Sequence, residues 1–399
     1  MQKQTRHILH ITTAAIALLS GGGICAQDTG MHLFEGSLNK AAPLFRNDTL
    51  TVRIFGDIMM HSRQIETAAS EDGVYDFSSY FSLLSEEISN ADIVVANMEF
   101  TLAGRPYTGY PCFSAPDSFA PFLAETGFDV FLAANNHIFD KGQAGAIRTI
   151  SIYRELEQTH GIRFTGLAEN EDGLSGNFPL AIRRKGISVA LVNFTYGTNS
   201  PLSSEWPKVN LMDDSGPLAE AFRKAQEADF TIALPHWGTE YRLKHSERQE
   251  KTAQKLADMG ADIIIGAHPH VIQDFALISA YDGTKAKQVP VAYSLGNAVS
   301  NMSAANTQLE LMATIRIARN FNGDLEMLPV EMTYLWCSAP GGYGKSYTVI
   351  PVADFIGRRN EWAGKWDYDK MVRTYSKVMQ ETGIKEGVQN AGTINDKNK

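Results

Sequence analysis

The stretch Gly260-Ala-Asp-Ile-Ile-Ile-Gly-Ala-His268-Pro-His270 restricts the folds open to this chain more than any other segment. Ile263 to Ile265 is continuous and β-branched, the pattern of a strand buried on both faces. Ahead of it, Ser246-Glu-Arg-Gln249 reads as a capping box and Ala253, Leu256 and Ala257 as an apolar stripe, which predicts a helix over 247–259 with Gly260 at its C-cap. Proline cannot extend a ladder, so the strand must end as the two histidines leave the sheet. Two imidazoles one residue apart on irregular backbone can aim at a single point, as metal ligands must.

The pattern recurs. Apolar runs opened by Asp92, Asp129 and Asp229 lead into Asn97-Met-Glu99, Asn135-Asn136-His137 and His236-Trp-Gly, and the run from Val52 leads into Asp57. Helices are predicted between such runs at 80–88, 119–126, 144–158 and 218–226, with further strands at 187–194, 288–293, 309–317 and 328–335. Alternating strands and helices imply α/β layering and a largely parallel central sheet. Such a sheet presents the carboxyl ends of its strands along one edge, where ligands bind. The polar clusters are therefore expected to gather on one rim.

With 399 residues, 44% of them hydrophobic, the chain can build one large domain or two smaller ones, and its net charge of −9 points away from a nucleic-acid partner. Lys3 and Arg6 precede an apolar stretch at 11–19 and then small residues up to Cys25-Ala26. This reads as a secretory signal peptide over 1–26, too short for a membrane span. The alternative, a lipidated Cys25, has a poor lead-in in Gly22-Gly23-Ile24. With no later apolar run long enough to cross a bilayer, the mature chain is expected to lack a transmembrane segment and to lie in the periplasm or cell envelope. The expected organisation continues with a linker (27–49), one main domain (50–350), a helical extension (351–384) with an amphipathic helix at 367–382, and a disordered tail (385–399). Residues 200–215 read as a surface excursion able to cover the rim. Cys112 and Cys337 either pair in an oxidising compartment or stay buried as free thiols.

The rim would collect Asp57, Glu99, Asn136, His137, His236, His268 and His270. Carboxylates, neutral imidazoles and an amide oxygen are ligands for a borderline divalent ion such as Zn, Mn or Fe. A carboxylate such as Glu99 can bridge two ions, the arrangement that serves in-line phosphoryl displacement, and a spare histidine can protonate a leaving group. No Gly-x-Ser-x-Gly elbow is present. The composition fits metal-assisted hydrolysis better than a nucleophilic triad.

Phe55-Gly-Asp57, Asn97-Met-Glu99, Ala134-Asn-Asn-His137, His236-Trp-Gly-Thr-Glu-Tyr241, Gly266-Ala-His-Pro-His270 and Ser294-Leu-Gly-Asn297 together resemble the signature set of the CapA family, in the family's order over about 50–335. That is the bacterial capsule or poly-γ-glutamate synthesis group, related to calcineurin-like metallophosphoesterases. The resemblance implies a metallophosphoesterase-like α/β/β/α sandwich with mixed sheets and one or two divalent ions. It would put Asp57 and His270 on a first metal, Glu99 between two, and Asn136, His236 and His268 on the second, with His137 as general acid. Met59 stands where the phosphoesterases carry a histidine, so a one-metal centre is also open. Glu240, Tyr241, Tyr196, Asn199, Asn297 and Arg105 are candidates for orienting ligands or meeting substrate, whereas His61, His160 and His245 read as surface residues. The expected function is an exported hydrolase or transferase acting on an anionic envelope polymer or its precursor, with capsule synthase components as partners. A catalytically silent polymer-binding scaffold and an amide-cleaving metallopeptidase are the other readings.

Overall fold

The computed structural model describes residues 49–212, 215–281 and 286–389. The expected signal peptide, nearly all of the linker, and residues 390–399 of the expected tail lie outside these.

Among the described residues two mixed sheets account for the main strands. The first runs in the order Thr348–Pro351, Glu331–Ser338, Leu309–Arg319, Leu50–Ile58, Ile93–Met98, Val130–Leu132, Arg163–Thr165. Its last four strands are mutually parallel, and Leu309–Arg319 and the strands beyond it are antiparallel. The second runs Phe275–Tyr281, Ala286–Ala292, Ile263–Ile265, Phe230–His236, Ile187–Thr195, Leu180–Arg184, with a parallel centre and an antiparallel strand on each side.

The expectation of one largely parallel sheet is thus corrected: Asp57 lies near the end of one strand of the first sheet and Glu99 and His137 follow two others, while His236 ends one strand of the second and His268 follows another. Burial gives the reason. Runs such as Ile93–Met98 and Ile263–Ile265 are buried at every position, so both faces need cover. Val52, Ile54, Val95 and Val130 meet Leu191, Ile232, Leu234 and Ile263 in a core between the sheets. On the first sheet's outer face, Val94, Ala96 and Phe131 pack with Leu123 and Ala146, Ile150 and Tyr153 from helices Phe119–Thr126 and Gly142–Thr159. On the second sheet's outer face, Val192, Ala233 and Ile264 pack with Leu218, Phe222, Ala253 and Leu256 of helices Ser215–Ala225 and Glu247–Asp258. The result is the α/β/β/α sandwich with mixed sheets that the family resemblance implied.

The capping box read from Ser246 and Gln249 is present, and Gln249 is buried. Helix Lys365–Thr382 adds Tyr368, Met371 and Val378 to the core between the sheets and stops at Gly383, φ 74°. Lys385 to Gln389, expected in a disordered tail, is tied down instead. Gly387–Val388 pairs antiparallel with Glu331 and Met332, and Gln389 N donates to Val330 O at 2.8 Å, because the Glu331–Ser338 strand leaves an edge for it. Within the expected excursion over 200–215, Lys208–Val209 pairs with Leu167–Ala168 and Leu211 bridges to Thr195, while residues 213–214 lie outside the described residues. No helix among the described residues is long and apolar enough to cross a membrane.

Candidate metal centre

Asp57 is placed by backbone that only glycine permits. A Cβ on Gly56 would collide with the carbonyl of Gly296, so strand Leu50–Ile58 can lie tightly against the segment leading to Asn297. Asp57 then stands in register with Asn97 on one neighbouring strand and Asn297 on the other. Asn97 and Glu99 are two residues apart on extended chain and so share a side. From the second sheet, His236 ends strand Phe230–His236 and is bridged to Ala267. His268 and His270 follow with φ of 96° and 58°, left-handed backbone that side-chain-bearing residues seldom adopt. The tertiary fold compensates for that strain in order to present both imidazoles to the same point.

All seven residues of the expected rim are buried there, Asp57 and Glu99 at 0% exposure. Asn97 Nδ2 donates to Asp57 Oδ1 at 2.6 Å and the His268 backbone N–H to Oδ2 at 3.1 Å, while His270 Nδ1 lies 3.3 Å from Oδ2. His236 Nε2 and Asn136 Oδ1 are 2.7 Å apart. Glu99 Oε1 faces Nε2 of His236, His270 and His137 at 3.7, 3.8 and 3.9 Å. Among the described residues neither oxygen of Glu99 has a hydrogen-bond partner, nor does Nδ1 of His268. Ligand atoms of Glu99, His268 and His270 lie within 4.8 Å of one another, as do those of Asp57, Glu99 and His236. Glu99 belongs to both groups, which cut across the division of ligands that the resemblance implies. A buried carboxylate with no hydrogen bond, ringed by imidazoles, costs several kcal/mol unless a cation joins it. The donor set therefore fits a divalent metal ion.

The electrostatics agree. Burial and the charge of Asp57 push the Glu99 carboxyl well above its usual range. Burial opposes ionisation of Asp57 too, but the hydrogen bond from His270 and the neighbouring imidazoles and Asn97 outweigh it and hold its pKa low. Burial drives His236 down to about 3 and His268 well below the ordinary imidazole value, so both are neutral with lone pairs available. For His270 burial is outweighed by Asp57 and Asn297, and its pKa rises. Asn297 gives its amide hydrogens to Ser300 Oγ and Thr307 O, both at 3.1 Å, so its oxygen is left to accept from His270 Nδ1 at 2.9 Å. That contact turns Nε2 toward Glu99.

His137 differs from the others. Its Nδ1 donates to Asp140 Oδ2 at 2.7 Å, that oxygen also accepts from Phe113 N at 2.8 Å, and the Phe113 ring meets the imidazole edge-on at 4.7 Å. Asn199 Nδ2 lies 3.4 Å from the same ring, and the Asn199 N–H donates to the Asn136 carbonyl at 2.8 Å. Sequence reading passed over Asp140, although its spacing three residues after His137 was a usable signal; it also gave Asn97 no role. The Tyr196 ring lies 4.7 Å from His268 and the Tyr241 ring 6.3 Å from His270. Tyr241 has φ of 63° and is bound through its N–H to Pro269 O at 2.9 Å. Burial raises both phenols, helped by the charge of adjacent Glu240, which also reaches Glu99. Arg105 is exposed and lies over the Tyr107 ring at 4.8 Å, a partner outside the cluster.

Two histidines read as surface residues sit elsewhere. His61 is half-buried, edge-on to Phe113 at 5.2 Å, and burial lowers its pKa to about 4. His245 stacks on Tyr293 at 3.9 Å and contacts Asp274 at 3.0 Å. Met59 is buried in the outer core of the first sheet, while Cys112 and Cys337 are both free, the first exposed and the second buried.

Comparison with known proteins gives a match to the family model described as "Bacterial capsule synthesis protein PGA_cap" over residues 51–302. The chain is 29% identical over 301 residues to the "Capsule biosynthesis protein CapA" of Bacillus anthracis, covering 72% of this chain and 68% of that one. It is 25% identical over 307 residues to the "PGA biosynthesis protein CapA" of Bacillus subtilis (strain 168), covering 72% and 73%. Among solved structures it is similar to a 5′-nucleotidase precursor from Thermus thermophilus (13% identity, TM-score 0.44, 83% of this chain and 59% of that one). It is also similar to the NAD nucleotidase of Haemophilus influenzae (12% identity, TM-score 0.45, 86% and 65%). This chain spans less than two thirds of either of those structures.

Proposed function

Because this chain belongs to the family of bacterial capsule synthesis proteins, we propose that it is an exported, metal-dependent hydrolase or transferase of envelope polymer metabolism. Its substrate on this reading is an anionic capsule polymer of poly-γ-glutamate type, or a precursor of one. The observation that carries the proposal is Glu99, both oxygens without a hydrogen bond and one of them within 3.9 Å of three imidazoles. Asp57, Glu99, Asn136, His236, His268 and His270 would hold one or two ions of the Zn, Mn or Fe type. When bound, such an ion lowers the pKa of water and polarises the bond under attack. The chain's own residues do the rest. Asn97 and the His268 N–H fix Asp57, Asn297 fixes His270, and Asp140 holds His137 so that Nε2 faces Glu99 and the centre. From there a protonated His137 can deliver its proton to a leaving oxygen or nitrogen. Metal uptake must displace any proton on His270 Nε2, so binding is expected to release protons.

The second reading, a silent scaffold that binds polymer or synthase components, is favoured by Met59, which offers no nitrogen where metallophosphoesterases carry a histidine. One experiment separates the two. Wild type and His268→Ala are analysed for metal and then screened against phosphoesters and γ-glutamyl amides. The enzymatic reading expects wild type to carry metal and turn over one class, with both lost together in the mutant. Wild type that neither holds nor acquires metal, and cleaves neither class, would sink it.

A further inference from the structure

Beside the centre lies a groove of about 770 Å³ whose walls include Tyr241, Arg242, Lys244, Asn306, Lys377 and Glu381. Tyr241 belongs to both features: it lines the groove, and its ring is 6.3 Å from His270. In a chain of net charge −9 this groove gathers three cations. Arg242 and Lys244 are exposed, and among the described residues neither is ion-paired to a carboxylate. Among the described residues Lys377 has only the loose ion-pair partner Glu381 at 3.9 Å, and its side chain is 53% exposed.

The loop carrying the first two cations is rigid by construction. Gln273, fully buried, donates through Nε2 to the carbonyls of Arg242 at 2.9 Å and Lys244 at 3.2 Å. Its Oε1 accepts from Gln249 at 2.7 Å, and Gln249 Oε1 in turn accepts from Ser246 N at 2.9 Å. His245 N donates to Asp274 at 3.0 Å. A loop held at alternate carbonyls from beneath, with unpaired cations above, is organised to bind before any ligand arrives.

We propose that this groove binds a flexible chain carrying repeated anionic groups and leads it past Tyr241 into the centre. The proposal rests on the polymer reading above but assigns a separate binding site to it. The outer wall combines Asn306 with Lys377 and Glu381 of helix Lys365–Thr382, so the C-terminal helix closes one side of the groove.

Fluorescence anisotropy with labelled poly-γ-glutamate, and separately with inorganic polyphosphate, tests it. Arg242→Glu/Lys244→Glu should weaken binding at least about 10-fold at low salt, with the difference shrinking as salt rises. Lys377→Glu, on a different element, should weaken it by about 2- to 5-fold. With both proteins chelator-treated, His268→Ala should bind as wild type does, since it leaves the groove intact. Tighter binding of polyphosphate, lost in the same variants, would support the groove and identify phosphate as the preferred anion. Affinity for both probes that ignores the charge reversals, or that vanishes in His268→Ala, would overturn it. Groove binding without turnover sinks only the enzymatic reading; turnover with no effect of the reversals sinks only the groove.

Discussion

Two buried glutamates flank Asp57, and their difference separates structure from chemistry. Glu310 accepts a hydrogen bond from Gly56 N at 2.6 Å, and burial raises its pKa well above the usual range. Its hydrogen bond braces the strand that carries Asp57. Glu99 is as deeply buried and its pKa is raised in the same direction, yet among the described residues neither of its oxygens has a hydrogen-bond partner and three imidazole nitrogens surround it. Burial alone therefore does not mark a candidate metal-binding acid. What marks it is the absence of a protein donor where the neighbours are themselves electron-pair donors, since only a cation satisfies all of them together.

The contrast can be broken at several points. Glu99→Gln should have the largest effect, lowering metal affinity at least about 100-fold and removing turnover, measured by metal analysis and the activity screen. Retained metal in that variant would make Glu99 no different from Glu310. Asp140→Asn should leave metal content unchanged and reduce kcat by roughly 10- to 100-fold, because His137 keeps its place but loses the carboxylate that orients it. Equal metal loss would put Asp140 in the metal shell instead.

A pH effect comes next. In chelator-treated protein His236 has a folded pKa of about 3, depressed by burial below the unfolded imidazole value. The unfolded chain thus binds the proton first. The stability His236 contributes is whole above about pH 6.5 and is lost as pH falls toward 3, on the order of 1–2 kcal/mol by pH 5. His236→Asn should flatten that part of the curve of Tm against pH, and an unchanged slope would remove His236 as its source. Glu310→Gln should do least: the amide keeps an oxygen acceptor for Gly56 N, so stability should move by no more than about 1 kcal/mol and metal should be retained.

Much of this was readable beforehand because the signals are local. Hydrophobic period and caps located the helices over 119–126 and 247–259 to within a residue or so, and they found the strands that end in Asp57, Glu99, His236 and the His268-Pro-His270 turn. Proline after His268 ends a strand in any context, whereas glycine at 56 and 266 is required by the close approach of Gly296 and Tyr293, which only the tertiary contacts create. Asp140 and Asn97 were visible but unassigned, since nothing in a one-dimensional string says which of several nearby polar groups will point at the same imidazole. His61 and His245 were misjudged as surface residues for the same reason, their cover coming from Phe113 and Tyr293, 52 and 48 residues away in sequence.

The sequence by itself determined which short segments would be buried strands and which polar side chains would stand at their ends, because alternation, β-branching and capping act over a few residues. Only the tertiary structure decided that those strands divide between two sheets, that both rims open on one spot, and that Glu99 has imidazoles for neighbours where Glu310 has a backbone amide. Those outcomes depend on which faces cover one another across the sandwich, a long-range packing matter settled by burying apolar surface on both sides of every central strand.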